Sequence, residues 1–188
     1  PLRAIAQLAK SWNFSEASFG MAALNSYYAT PSVADEHGFA LADAPWPHIF
    51  DPFRNAVAGK KVAVIGHFPF APKALNQAAD FYMLERSLNE GDYPDSAAEY
   101  ILPECEYVFI TGSAFVNKTA PRLLELSRES FNVVLGPSTP LAPVLLEEYG
   151  VSQVTGMVPS NPAGMFEGLE KGDSLDMFNF GHRVTLGR

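Results

Sequence analysis

Six residues, Lys61-Val62-Ala63-Val64-Ile65-Gly66, limit what this chain can fold into more than any others. After its lysine the run is apolar and mostly β-branched, and it ends in glycine, the pattern of a strand buried on both faces of a parallel sheet. Four similar stretches follow at 81–85, 107–111, 132–136 and 153–158. Helix-like segments lie between them at about 71–79, 97–102, 119–129 and 140–149. Strands alternating with helices imply right-handed βαβ crossovers, hence a Rossmann-like doubly wound parallel sheet spanning residues 60–188.

The first 59 residues read differently. Leu2, Ile5, Ala6, Ala9 and Trp12 recur at helical spacing, and Ala17, Gly20, Met21, Leu24, Tyr27 and Tyr28 mark one face of a second helix. Asn13 or Ser15 can cap that helix, and Glu16 in its first turn suits the helix dipole. Residues 30–50 hold Pro31, Pro45 and Pro47 without sustained periodicity, which predicts a long connection or lid. Asp51-Pro52 reads as N-cap and first residue of a short helix that Gly59 ends. The expected division is a helical part at 1–59 and a Rossmann-like domain at 60–188.

Composition narrows the partners. The chain has 188 residues, 13 basic and 21 acidic, for a formal charge of −8 and a pI near 4.9. An acidic protein lacks the basic stripe that displaces counterions from duplex nucleic acid, and anionic membrane surfaces are disfavoured for the same reason. No apolar run approaches the roughly 18 residues of a spanning helix, and no secretory signal opens the chain, so a cytoplasmic location is expected. The single cysteine, Cys105, excludes an internal disulfide and any CxxC metal or redox pair. An apolar fraction of 47% suffices for a core.

In a doubly wound sheet, ligands bind outside the carboxyl ends of the strands, where strand order reverses. Those ends are Gly66-His67-Phe68-Pro69, Glu85-Arg86, Thr111-Gly112-Ser113, Gly136-Pro137-Ser138-Thr139-Pro140 and the segment 156–161. Thr139-Pro140 and Asn161-Pro162 each place a capping residue before proline. Such loops offer backbone N–H groups and hydroxyls to a polar ligand, or are simply well-capped turns. After Gly66 the second and third glycines of a dinucleotide fingerprint are missing, so ordinary NAD binding is not expected. Glu85, 19 residues after Gly66, stands where nucleotide-binding folds hold a ribose hydroxyl; it reads equally as a metal ligand or a solvated strand end. His67 can ligate a metal, transfer a proton, or hold one structural hydrogen bond. Asp92, in the turn Gly91-Asp92-Tyr93-Pro94-Asp95, is the preferred residue of an acidic rim running from Glu85 to Glu106. Asn25 either bonds a neighbouring backbone group or points into a crevice. No Gly-x-Ser-x-Gly elbow is present, and Cys105 precedes a strand instead of following one, so Ser, Cys or Thr nucleophilic catalysis is not supported.

Five words together resemble a known family: Gly20-Met21-Ala22-Ala23-Leu24-Asn25, Val64-Ile65-Gly66-His67-Phe68-Pro69, Asp92-Tyr93-Pro94, the stretch 110–119 from Ile110 to Thr119, and Leu135-Gly136-Pro137-Ser138-Thr139-Pro140. They resemble a family of unknown function described as "putative heavy-metal chelation" proteins, which join an enolase-N-terminal-like domain to a Rossmann-like one. The resemblance implies that Asn25 and the loops at His67, Glu85, Asp92, Thr111 and Ser138 face a shared cleft. It also implies that residues 1–59 are the helical remnant of the enolase-N-like domain, since the strands expected before the first helix are absent. No HxH, CxxC or i, i+4 histidine pair independently marks a metal site. The expectation is a protein that binds a small polar ligand or a transition-metal complex, with His67, Glu85 and Asp92 as metal ligands. Asn25, Thr111, Ser113 and Ser138 are expected to orient the bound molecule. The alternative is an enzyme acting on a small metabolite with an adenosine-containing cofactor. A second copy of the chain is a further partner these features allow.

Overall fold

The computed structural model describes residues 1–42, 46, 48–171 and 176–187. Helix α1 (Leu2–Ala6) runs into a 3-10 turn, Gln7–Lys10, and α2 (Phe14–Tyr28) folds back against both. Asn13 caps α2 as expected, its side chain accepting from the backbone N–H groups of Ser15 and Glu16 at 3.0 and 3.3 Å. A Cβ on Gly20 would lie 1.9 Å from the Ala9 nitrogen, so only glycine lets α2 seat on the 3-10 turn. The stretch expected to be a long connection contains α3 (Pro31–Glu36), started by Pro31 at its first position, and β1 (Ala40–Leu41).

Residues around Asp51 form a 3-10 helix, His48–Phe53, in place of a helix capped by Asp51. The Asp51 carboxylate is engaged sideways, by His48 Nδ1 at 2.8 Å and Arg54 at 3.4 Å, and so does not cap backbone N–H groups. Ile49, Phe50 and Phe53 of this helix, and Val57 just after it, are buried.

The five expected strands form: β2 (Lys61–Ile65), β3 (Asp80–Glu85), β5 (Tyr107–Thr111), β6 (Phe131–Leu135) and β7 (Gln153–Pro159). Three strands were not expected: β1 in the 30–50 stretch, the two-residue β4 (Tyr93–Pro94) and β8 (Gly181–Gly187). The eight-stranded sheet has the order β1-β8-β7-β6-β5-β2-β3-β4, with β8 antiparallel to both neighbours and the rest parallel. From β4 to β7 this is the doubly wound order whose direction of winding reverses between β2 and β5.

Alternation along β2 assigns the two faces of the sheet. Val62 and Val64 pack with Phe50, Phe53, Val57, Leu75 and Phe109 on one side. Ala63 and Ile65 pack with Leu84, Leu102, Ile110 and Leu123 on the other. The second layer is built from α5 (Ala98–Ile101), α6 (Ala120–Leu126) and α7 (Val144–Glu147). The first uses the 48–57 segment and α4 (Ala71–Ala74).

Three expected helices are shorter than their patterns. Pro143 disfavours helical geometry at the residue before it, so α7 starts after Pro143 and not at Pro140; Thr139 is therefore no cap. In α4 the chain is diverted early, because the Gln77 carbonyl accepts from Gly59 N–H and the Ala79 N–H goes to the Lys60 carbonyl, both at 2.9 Å. Helix α6 is confined to seven residues. Asn161 does cap α8 (Pro162–Glu170), accepting from the Gly164 N–H at 3.0 Å.

Candidate functional site

The winding reversal opens a crevice of about 650 Å³ at the carboxyl ends of β2, β3 and β5. His67, Glu85, Thr111 and Ser113 line it, together with Arg86, Asn117, Lys118 and Arg122. Leu84, Ala114 and Leu123 supply an apolar wall.

The loop carrying His67 is fixed from below by aromatic packing. Phe68 and Phe70 lie against Phe50, with ring centroids 5.5 and 5.8 Å away, and Phe50 meets Phe109 of β5 at 5.2 Å. It is fixed from the side by Glu85: one carboxylate oxygen accepts the His67 backbone N–H at 2.9 Å and the other accepts the Arg86 N–H at 2.6 Å. Both Glu85 oxygens thus hold backbone in place at the junction of β2 and β3.

His67 Nδ1 lies 3.0 and 3.2 Å from the two oxygens of Asp92. The Asp92 side chain is fully buried, while that of His67 keeps 31% of its surface. Burial pushes the Asp92 carboxyl up, but the Asn89 backbone N–H, the Asn89 amide and His67 outweigh it and hold the group below its ordinary value. Asp92 is therefore an ionised acceptor. An acceptor opposite Nδ1 requires the proton on Nδ1, which leaves Nε2 of the neutral ring with a free lone pair. An imidazole so oriented by a carboxylate is the arrangement found behind both metal-ligating and proton-transferring histidines.

Thr111 caps the turn Gly112–Phe115, its hydroxyl accepting from Ser113 N–H at 3.4 Å. Gly112 is a steric necessity: a Cβ there would sit 2.5 Å from the Thr139 nitrogen and 2.7 Å from the Ser138 carbonyl carbon. The β5 and β6 loops therefore touch backbone to backbone. Asn25 reaches that contact from α2, its Nδ2 donating to the Ser138 carbonyl at 2.8 Å across 113 residues of sequence. Asn25 Oδ1 and the Thr139 hydroxyl are buried there without a described partner. Asn25 and Ser138 meet each other beside the crevice and do not line it.

The helical part touches the crevice rim at two points. The Arg86 guanidinium lies 5.6 Å over the Phe14 ring, and Lys118 Nζ donates to the Ala9 carbonyl. Sequence reasoning passed over Asn89 and Lys118 as site residues. The Asn89-Glu90-Gly91-Asp92 turn was the available signal for the first, whereas nothing in the spacing marked Lys118.

A resident metal ion needs three or four converging donors. Among the described residues no three His, Cys, Asp or Glu side chains come together in that way. Both oxygens of Glu85 are engaged, and Asp92 serves the ring of His67. The expected trio therefore assembles into one open donor, His67 Nε2, backed by two positioning carboxylates, and does not fit a self-contained heavy-metal site.

Comparison with known proteins agrees with the fold. Over its full length the chain is 46% identical to a protein of unknown function from the DUF364 family of Desulfitobacterium hafniense, whose crystal structure superposes with a TM-score of 0.91; 75% of that chain is covered. A DUF364-family protein of unknown function from Pyrococcus horikoshii shares the fold at 23% identity, with a TM-score of 0.82 over all of this chain and 75% of the other. An uncharacterized protein of Methanocaldococcus jannaschii is 25% identical over 153 residues, which are 78% of this chain but 56% of that protein. The chain thus spans little more than half the length of that curated relative. A second family model, DUF4213, matches residues 1–28, and the DUF364 model matches 48–185; both carry the description "Putative heavy-metal chelation". With the greater part of its length matched by that model, the chain belongs to the DUF364 family.

Proposed function

We propose that the protein binds a small polar ligand, free or as its metal complex, in the crevice at the ends of β2, β3 and β5. His67 Nε2 is the protein atom that meets the ligand's reactive centre. The single observation that carries this reading is the buried Asp92 carboxylate 3.0 Å from Nδ1, which leaves Nε2 as the open nitrogen. One imidazole cannot hold a bare heavy-metal ion by itself, but it can complete the coordination of a metal that a small chelator already carries. The metal is then cargo, in keeping with the family description. In this reading Glu85 and Asp92 act by positioning His67, Thr111 and Ser113 orient the ligand from β5, and Asn25 with Ser138 fixes the neighbouring loop.

The test is titration with the nickel–nitrilotriacetate complex, which leaves coordination positions for an incoming imidazole, followed by NMR of the histidine rings. Selective broadening of His67 over His37, His48 and His182, lost in His67→Ala, supports the reading. Equal broadening of all four rings refutes it.

The same dyad supports a second reading, in which His67 is a general acid or base toward a bound metabolite. That the described residues offer one open donor and no three-ligand set favours it. An adenosine ribose at Glu85 has less support, because both carboxylate oxygens already accept backbone N–H groups.

A further inference from the structure

We propose that Lys118 anchors a carboxylate or phosphate group of the crevice ligand, so that the ligand class is an oxyanion with an apolar body. The proposal rests on the crevice being a ligand site, and not on the role of His67.

Three cationic side chains line the crevice among the described residues. Arg86 is paired with Asp95 at 3.4 Å. Arg122 is held between Glu99 and Glu125, with its Nε 2.8 Å from Glu99 and Nη1 2.7 Å from Glu125. Lys118 has no carboxylate partner among the described residues: its ammonium donates to one neutral acceptor, the Ala9 carbonyl. An ammonium has three donors, so two remain for a ligand. With Arg86 and Arg122 paired to carboxylates, Lys118 is the lysine or arginine of the crevice lining left to meet an anion.

The backbone at this position is also unusual. Lys118 has φ +67°, and it is the one non-glycine residue at positive φ among those described. That geometry is held by the preceding residue, Asn117, whose Oδ1 accepts the Thr119 N–H at 3.1 Å and the Thr119 hydroxyl at 2.6 Å. Glycine adopts this conformation without strain, whereas here it is occupied by a lysine whose side chain lies in the crevice lining. Leu84, Ala114 and Leu123 of the same lining offer nothing to an oxyanion but accommodate the apolar remainder of the molecule.

The experiment uses the intact chain at low ionic strength, titrated separately with inorganic phosphate and with benzoate, against sodium chloride as the ionic-strength control. The readout is the set of backbone amide resonances from Gly112 to Thr119. Wild-type protein is expected to shift saturably with one or both probes, and which probe acts distinguishes a phosphate from a carboxylate ligand. Lys118→Gly, which relaxes the backbone and so keeps the fold, is expected to weaken binding at least tenfold, while Lys118→Arg stays within threefold. Absence of saturable binding by either probe in the wild type, or binding by Lys118→Gly within twofold of it, overturns the proposal. If anions bind through Lys118 but nickel–nitrilotriacetate ignores His67, this inference stands and the His67 reading falls; the reverse pattern separates them the other way.

Discussion

Replacing Asp92 by asparagine removes one charge and almost no volume, and so isolates what the carboxylate does for His67. In the native protein the carboxylate accepts from Asn89 N–H at 2.9 Å, from the Asn89 amide at 3.2 Å and from His67 Nδ1 at 3.0 Å. Hydrogen bonds to charged groups contribute roughly 1.5–3 kcal/mol each, but the exposed Asn89 donors can turn to water, so the expected loss is about 2–4 kcal/mol. For a chain of this size that is a fall in Tm of roughly 5–15 °C. Removing the carboxylate behind a ligating histidine typically weakens ligand affinity about 10–100-fold. The direct assay is long-range proton–nitrogen correlation NMR of the His67 ring. Neutral His67 in the wild type carries its proton on Nδ1; in Asp92→Asn, whose amide can donate as well as accept, the ring gains the Nε2–H tautomer. The pH dependence has a definite sign. The folded Asp92 carboxyl lies below its unfolded value of about 3.9, so its contribution is fully present above that value and is lost as pH falls through the lower folded one. Asp92→Asn removes this acid-side loss. An unchanged tautomer together with a Tm within about 1 °C of wild type refutes the reasoning.

Two further outcomes follow from the packing. Gly112→Ala pushes a methyl to within 2.5 Å of the Thr139 nitrogen, and the cost is about 1–3 kcal/mol, a loss in Tm of roughly 2–12 °C, because the obstacle is backbone and cannot rotate away. The same variant should disturb the Asn25–Ser138 bond, seen as a shift of the Asn25 side-chain amide; a melt and an amide resonance identical to wild type count against this account. Cys105 is 5% exposed, and burial pushes its thiol up to about 11. It should resist iodoacetamide at pH 8 in the native protein and react promptly in guanidinium; rapid native labelling contradicts the burial.

The parts of the fold visible in the sequence are those in which a segment states its own environment. The runs at β2, β5 and β6 are apolar because both faces are covered, and Asn13 and Asn161 cap helices because their side chains reach their own following N–H groups. What stayed hidden depends on partners elsewhere. Strand β8 alternates weakly through Gly181, His182, Arg183 and Thr185, and its pairing with β7 is a tertiary fact. Strands β1 and β4 have two residues each, too few for a period. At the site, residue type and loop position singled out His67, Glu85 and Asp92, which the fold brings together, yet could not tell a carboxylate facing a ligand from one facing a histidine. Lys118 was missed because its signal is a backbone angle, and Thr139 was misread because Pro143, not Pro140, decides where α7 begins.

The position of β1 at the outer edge of the sheet has a consequence for synthesis. Ala40 pairs with Thr185, 145 residues later, and Asn25 must wait for Ser138. At about 5–20 residues per second the ribosome spends roughly 7–30 s between making the two halves of that outermost pairing. Throughout that interval the nascent helical hairpin carries Trp12 and Phe19, which stay exposed even in the finished molecule, without the later strands that anchor its neighbouring segment. The helical hairpin is thus made long before the strands that secure it, and slowed or interrupted elongation prolongs its unprotected state.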